Sequence, residues 1–272
     1  MTETALIIFA GWAMVATVMF LLWRYAMSQG NAGWVDFGWG FTLVLLVVWY
    51  AAVAEGAPWR RVFFLLLTGL WGVRLTIHIL QRLLADEYED PRYMMLRRHW
   101  GESAIRKFFF FFQAQGLANL ILTAPILLLM NNKRGEFSLF DLLGAAVIVA
   151  AVIGETIADR QLLRWRENPE NHGRTCRKGL WAVSRHPNYF FEWVHWLGYP
   201  VLGGSLLGTS MVLWWPLTLV GPVLMLILLL GFTGIPYTEK QALKSRGEDY
   251  RKYQREVSAF IPWFPRKPAK DN

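Results

Sequence analysis

A single cysteine, Cys176, stands in 272 residues, so an internal disulfide framework is excluded. With five histidines and no Cys/His cluster at ligand spacing, no metal site is expected either. No G-x-G-x-x-G follows a strand-like run, which rules out a Rossmann nucleotide site. Charge is sparse as well: charged residues make up 18% of the chain against 54% apolar, with 15 tryptophans. Uncharged runs recur along the whole length, which marks an integral membrane protein. The first run, 5–27, has no basic segment before it and no small-residue cleavage site after it, so a retained span is expected rather than a signal peptide.

The expected fold is all-α: one polytopic bundle of about seven transmembrane helices, with spans near 5–27, 38–54, 61–84, 109–130, 139–163, 187–208 and 212–234. Of the 28 Lys and Arg, four (Arg60, Arg61, Lys133, Arg134) fall on one side, Arg74 lies within a span, and 23 gather on the other side. That asymmetry predicts the N-terminus outside and the C-terminus in the cytoplasm. The net charge of +8 is then a matter of topology and lipid contact, and no nucleic-acid partner is implied.

Polar residues at membrane depth need a partner or a function. The stretch 179–198, GLWAVSRHPNYFFEWVHWLG, reads as a basic turn feeding a helix from about Pro187, with Asn188, Glu192, His195 and Tyr199 along one stripe. Span three carries Trp71, Arg74, His78 and Arg82 at near-helical spacing. Span five ends with Glu155, Asp159 and Arg166 on a common face, beside Arg164. A salt-bridge network at the membrane surface accounts for such residues, and so does recognition of a large anionic ligand. The loop 167–179 mixes turn formers with Arg174, Arg177 and Lys178 just before a helix start, a combination that suits phosphate. Asp159 and Asn188 suit ribose hydroxyls or a carboxamide, so a dinucleotide fits the set better than an inorganic anion.

Two further polar segments stand out. The connection after span three holds Tyr88, Asp90, Arg92 and Tyr93, with Pro91-Arg92-Tyr93 read as a turn, and its bland reading is a solvated loop. Asp36 sits at the entry of span two, where helix capping explains it as well as catalysis does. The tail, with Tyr250, Tyr253 and Ile-Pro-Trp at 261–263, reads as an amphipathic helix on the membrane face or as the closure of a pocket.

Taken in order, WVDFGWGF, LWGVRLTIHILQR, EDPRY, ETIADRQ, GLWAVSRHPNYFFEW and YRKYQREVSAFIPWFP resemble the bacterial membrane proteins related to the C-terminal region of steroid 5α-reductases. The resemblance covers nearly the whole chain; the RHPNY-to-IPW part is shared with isoprenylcysteine carboxyl methyltransferases and sterol C14-reductases. It implies a single reductase domain over 1–272 in the bacterial inner membrane, as a monomer among lipids, with 139–265 forming most of an NADPH site. The implied reaction is hydride transfer to the β carbon of a 3-oxo-Δ4 steroid or similar apolar enone. Asp159, Arg166, Arg174, Asn188 and Glu192 match cofactor-contacting positions, Arg82 and His78 match positions near the ribose and nicotinamide, and Arg164, His186, Tyr189, Tyr250 and Tyr253 complete the expected cofactor set. The eukaryotic Gln-Glu pair and Tyr are replaced here by 34–38 and 70–72, so Asp36, with Tyr93, Tyr88 and His78, is the expected catalytic group. A protonated Asp36 or a Tyr would donate to the enolate oxygen. The alternatives are an S-adenosylmethionine-dependent methyltransferase acting on a lipid or isoprenyl thiol, and a non-enzymatic membrane scaffold or lipid carrier.

Overall fold

The computed structural model describes residues 3–85, 88–232 and 234–266. Helices α1 (Glu3–Ser28), α2 (Trp34–Val53), α3 (Pro58–Ala85), α4 (Pro91–Trp100) and α5 (Ala104–Met130) are followed by α6 (Leu139–Glu167), α7 (Pro187–Gly203), α8 (Val220–Ile227) and α9 (Ile235–Glu256). No strand occurs among the described residues. Among the described residues, six segments are long and apolar enough to cross a membrane: α1, α2, α3, Pro91–Met130, α6 and Val212–Glu256. Helix α7, at 17 residues, lies at the short end of a spanning length. Outward faces are apolar, with Leu6, Phe9 and Leu21 on α1, Leu66 and Leu70 on α3, and Val149 and Ile153 on α6 all exposed. The chain is an all-α, multi-pass membrane protein.

The chain divides into two compact units, Met1–Phe137 with Leu206–Thr218, and Ser138–Ser205 with Leu219–Asn272. In the first unit, α2 and α5 are joined by hydrogen bonds at membrane depth. The Asn119 amide donates to Trp39 O (2.7 Å) and Thr42 Oγ1 (2.9 Å). Such bonds hold helices together where lipid supplies no hydrophobic drive.

In the second unit, α6 starts on a capping box: the Ser138 hydroxyl accepts from the Asp141 backbone N–H while the Asp141 carboxylate accepts from the Ser138 N–H. Helix α7 starts on Pro187, whose missing N–H costs nothing in a first turn. The two helices pack along a seam of small residues. A Cβ on Gly144 would stand 2.4 Å from Leu202 Cγ, one on Gly154 2.4 Å from the Phe191 ring, and one on Gly198 2.4 Å from Ile148 Cγ1. Gly154→Ala is therefore expected to destabilise by about 1–3 kcal/mol through overpacking, read as a lower thermal midpoint in detergent, whereas alanine at open Gly135 leaves the midpoint unchanged.

The last apolar run, expected as one span over 212–234, is interrupted. A 3₁₀ stretch, Val212–Leu219, contains Pro216, α8 follows, and a π-turn over Leu228–Phe232 leads to a break at Gly234 before α9. Pro216 lacks the N–H that an α-helix needs, and Gly234 backs so closely on Leu229 that a Cβ there would sit 2.3 Å from its carbonyl oxygen. Hydropathy averages over such breaks. Helix α9 kinks at Gly247, whose φ of 54° favours glycine.

Candidate functional site

Two polar clusters stand out, one in each unit. In the first unit, Asp90 caps α4 and Pro91 fills its first position; the Asp90 carboxylate accepts from the Arg92 backbone N–H (2.8 Å). The same carboxylate takes the Arg92 guanidinium in a fork, from Nε (3.0 Å) and Nη2 (2.9 Å), and Nη2 also reaches Asp36 Oδ2 at 2.8 Å. The buried Tyr93 hydroxyl donates to Asp36 Oδ1 at 2.6 Å. Arg82 stands 3.6 Å from Asp36 and 3.8 Å from Asp90, too far for direct hydrogen bonds, and its side chain is 53% exposed. Gly33, Asp36, Ile79, Arg82, Leu83, Tyr88 and Asp90 line a small cleft over this cluster. Glu89 braces its rim: it accepts from the Ala32 backbone N–H (2.6 Å) and from Arg97 (2.9 Å). Burial opposes ionisation of Asp90, but hydrogen bonds from Arg92 and the charges of Arg92 and Arg82 outweigh it and hold this carboxyl below its ordinary value.

In the second unit, α6 and α7 bring Asn188 onto Asp159, its Nδ2 donating to Oδ1 at 3.2 Å. Glu192, one turn along α7, feels the negative charge of Glu155 and Asp159. This face is rich in acceptors. Arg164, Arg166 and Arg174 extend from the end of α6 and the following loop with exposed side chains. Beside the start of α7, Glu239 gathers donors: Arg185 Nε at 2.6 Å, Gln254 Nε2 at 2.7 Å, and His186 Nε2 and Tyr250 OH at 3.4 Å each. Arg185 also donates to the Gln254 and Val257 carbonyls. Burial lowers the His186 pKa below its ordinary value, and the Glu239 carboxylate only partly restores it.

A family model described as "Protein of unknown function (DUF1295)" matches residues 22–257. The chain belongs to the DUF1295 family. An "Uncharacterized protein C594.04c" from Schizosaccharomyces pombe is 26% identical over 274 residues, an alignment covering 89% of this chain and 76% of the yeast protein. No solved structure matches.

In this DUF1295 chain the expected catalytic residues meet in part. Asp36 and Tyr93 are hydrogen-bonded, Tyr88 lines the same cleft, and His78 lies on the exposed side of α3 one turn before Arg82. Asp36 is not the cap of α2. Gly33 holds that position, and Asp36 points to Arg92 and Tyr93 instead. Arg92 Nη2 and Arg82 Nη2 stand 2.8 Å and 3.6 Å from Asp36 Oδ2, and the Tyr93 hydroxyl is directed at Asp36 Oδ1. The segment expected as a Pro91 turn is the first turn of α4.

Among the expected cofactor contacts, Asp159, Asn188 and Glu192 come together, whereas Arg82 groups with Asp36 and Asp90. His186 and Tyr250 meet Glu239, Tyr189 OH pairs with Thr238 at 3.2 Å, and Tyr253 OH donates to the Trp181 and Ser184 carbonyls. His186, Tyr189 and Tyr253 tie the start of α7 and the turn before it to α9, while Tyr250 braces Glu239 within α9. Arg92, Asp90, Arg185 and Glu239 lay outside the sequence-based choice. An Asp-Pro-Arg at a helix start was a readable capping signal for the first two, whereas the Arg185–Glu239 pair spans 54 residues and had none.

Proposed function

We propose that this DUF1295 protein is an NADPH-dependent reductase that saturates the carbon–carbon double bond of an apolar enone, such as a 3-oxo-Δ4 steroid. The observation that carries this reading is the acceptor-rich face of Glu155, Asp159 and Glu192 beside the Asn188 amide, close in sequence to three exposed arginines. Carboxylates repel phosphate but accept from ribose hydroxyls and carboxamide N–H groups; guanidinium groups do the reverse. A dinucleotide carries both kinds of group. Asp159, Asn188 and Glu192 would hold its neutral, donor-rich parts, and Arg164, Arg166 and Arg174 its phosphates. NADPH, when bound, supplies a hydride to the substrate's β carbon.

Negative charge then develops on the substrate carbonyl oxygen as an enolate, and a fixed donor is required there. The family resemblance sets Arg82 near the nicotinamide and ribose, and Arg82 is the donor best suited to this. It is permanently charged, it faces the cleft, and its guanidinium is held only loosely by Asp36 and Asp90. The two carboxylates orient it and balance its charge, with Arg92 and Tyr93 fixing Asp36. Protonation of the α carbon by water entering beside exposed Tyr88 completes addition of one hydride and one proton. An apolar substrate partitions into the membrane that holds the protein. The charge asymmetry supports a C-terminus in the cytoplasm, and the proposal takes the protein as a monomer in the bacterial inner membrane.

Arg174→Ala and Arg166→Ala are expected to weaken NADPH binding about tenfold or more and NADH much less, because only NADPH offers a 2′-phosphate. Equal losses for both nucleotides in titration calorimetry would remove these residues from the phosphate. Thermal-shift titration of the purified protein with NADPH, NADH and S-adenosylmethionine tests the reading itself. Stabilisation by NADPH supports the reductase; stabilisation by the methyl donor alone supports the methyltransferase alternative and rejects the reductase.

A further inference from the structure

The segment after α9 is held rigidly while its largest side chains face outward. Trp263 N–H donates to Val183 O (2.9 Å), Arg185 N–H to Ser258 O (2.8 Å), and Arg266 N–H to Glu256 O (2.8 Å). The Ser184 hydroxyl adds a bond to Phe260 O (2.7 Å), and the Phe260 ring packs against Phe190 and Trp193 at the start of α7. Pro262 and Pro265 further restrict the backbone on either side of Trp263 and Phe264. Yet Ile261, Trp263 and Phe264 are 56%, 70% and 84% exposed. Three large apolar side chains on a fixed backbone form a surface that calls for a cover.

Its position says which cover. Val183, Ser184 and Arg185 directly precede Pro187, where the apolar helix α7 begins, so the bonds to these residues set the exposed aromatics at the level where α7 enters the membrane. Tryptophan favours that depth. Arg266 is exposed at the end of the segment, and Lys267 and Lys270 follow it in sequence against a single acid, Asp271. Cations next to an interfacial aromatic group match anionic lipid headgroups. We infer that residues 261–266 form an interfacial hook, in which Ile261, Trp263 and Phe264 immerse at headgroup depth and Arg266 engages an anionic leaflet. The hook is independent of the reductase reading.

The test is spin-label depth measurement on the full-length protein in nanodiscs. A label at Phe264→Cys, in a Cys176→Ala background, reports the hook, and a label at exposed Lys252→Cys reports the polar face of α9. The expected result is a collision rate with an aqueous nickel complex several-fold lower at 264 than at 252 in phosphatidylglycerol discs. That difference is expected to shrink in pure phosphatidylcholine and on Arg266→Ala. A label at 264 that is as water-accessible as the one at 252 in both lipids would overturn the hook, as would shielding by a second copy or another protein in lipid-free detergent. Equal immersion in both lipids would overturn the recognition of anionic headgroups. Because position 264 is exposed and makes no buried contact, a folding failure is not expected from labelling there; labelling at Trp263→Cys gives a second reading of the same depth.

Discussion

Arg82→Ala is expected to lower kcat for enone reduction by about 100-fold or more, the usual cost of removing one donor to a developing oxyanion, while leaving the NADPH dissociation constant unchanged. The reason is geometric. Arg82 lies 3.6 Å and 3.8 Å from the two carboxylates and lines the cleft beside Tyr88, whereas Arg92 is already committed to Asp90 and Asp36 through short bonds. Arg82→Lys keeps the charge but loses the planar fork, so an intermediate rate is expected. Steady-state kinetics paired with calorimetric titration of NADPH separates the outcomes. If Arg82→Ala instead weakens NADPH with kcat retained, the residue contacts the nucleotide, as the family resemblance implies, and the donor role fails.

The second large effect concerns folding. Glu239→Ala is expected to destabilise the protein by about 3–5 kcal/mol, because it strands the mostly buried Arg185 guanidinium beside the start of α7. In thermal denaturation this amounts to a fall of roughly 10 °C in midpoint. Glu239→Gln keeps an acceptor and is expected to lose less. The exposed Lys133–Glu55 pair, at 3.5 Å, serves as the control, and Lys133→Ala is expected to leave the midpoint unchanged. A Glu239→Ala midpoint equal to that of the unaltered protein would mean that the network around Glu239 does not secure α7 to α9.

The contrast between Asp36 and Pro187 shows how far the sequence could be read. Pro187 after a basic turn placed the start of α7 at its observed residue, because proline at a first helical position is a local signal. Helical periodicity put Asn188 with Glu192 and Asp159 with Glu155 on separate stripes, and only the family resemblance implied that the two stripes meet, as Asp159 and Asn188 do. Asp36 looked like a cap because the start of α2 was placed four residues late. The true start at Trp34 turns the side chain toward Arg92 and Tyr93, partners more than fifty residues away. Helix α4 was hidden because its charges read as a solvated loop, and the gathering of donors around Glu239 needs tertiary structure to bring Arg185 and Gln254 to one carboxylate. Local signals survive in a sequence; long-range polar pairing does not.

The central claim is hydride transfer from NADPH to an apolar enone. The measurement that tests it most directly is mass spectrometry of the product formed from a 3-oxo-Δ4 steroid and NADPH dideuterated at C4 by the purified protein in nanodiscs. The account predicts a saturated ketone carrying one deuterium at the former β carbon, with NADP⁺ formed in equal amount. Unchanged steroid and intact NADPH, together with methyl transfer from S-adenosylmethionine to a lipid thiol, would contradict it.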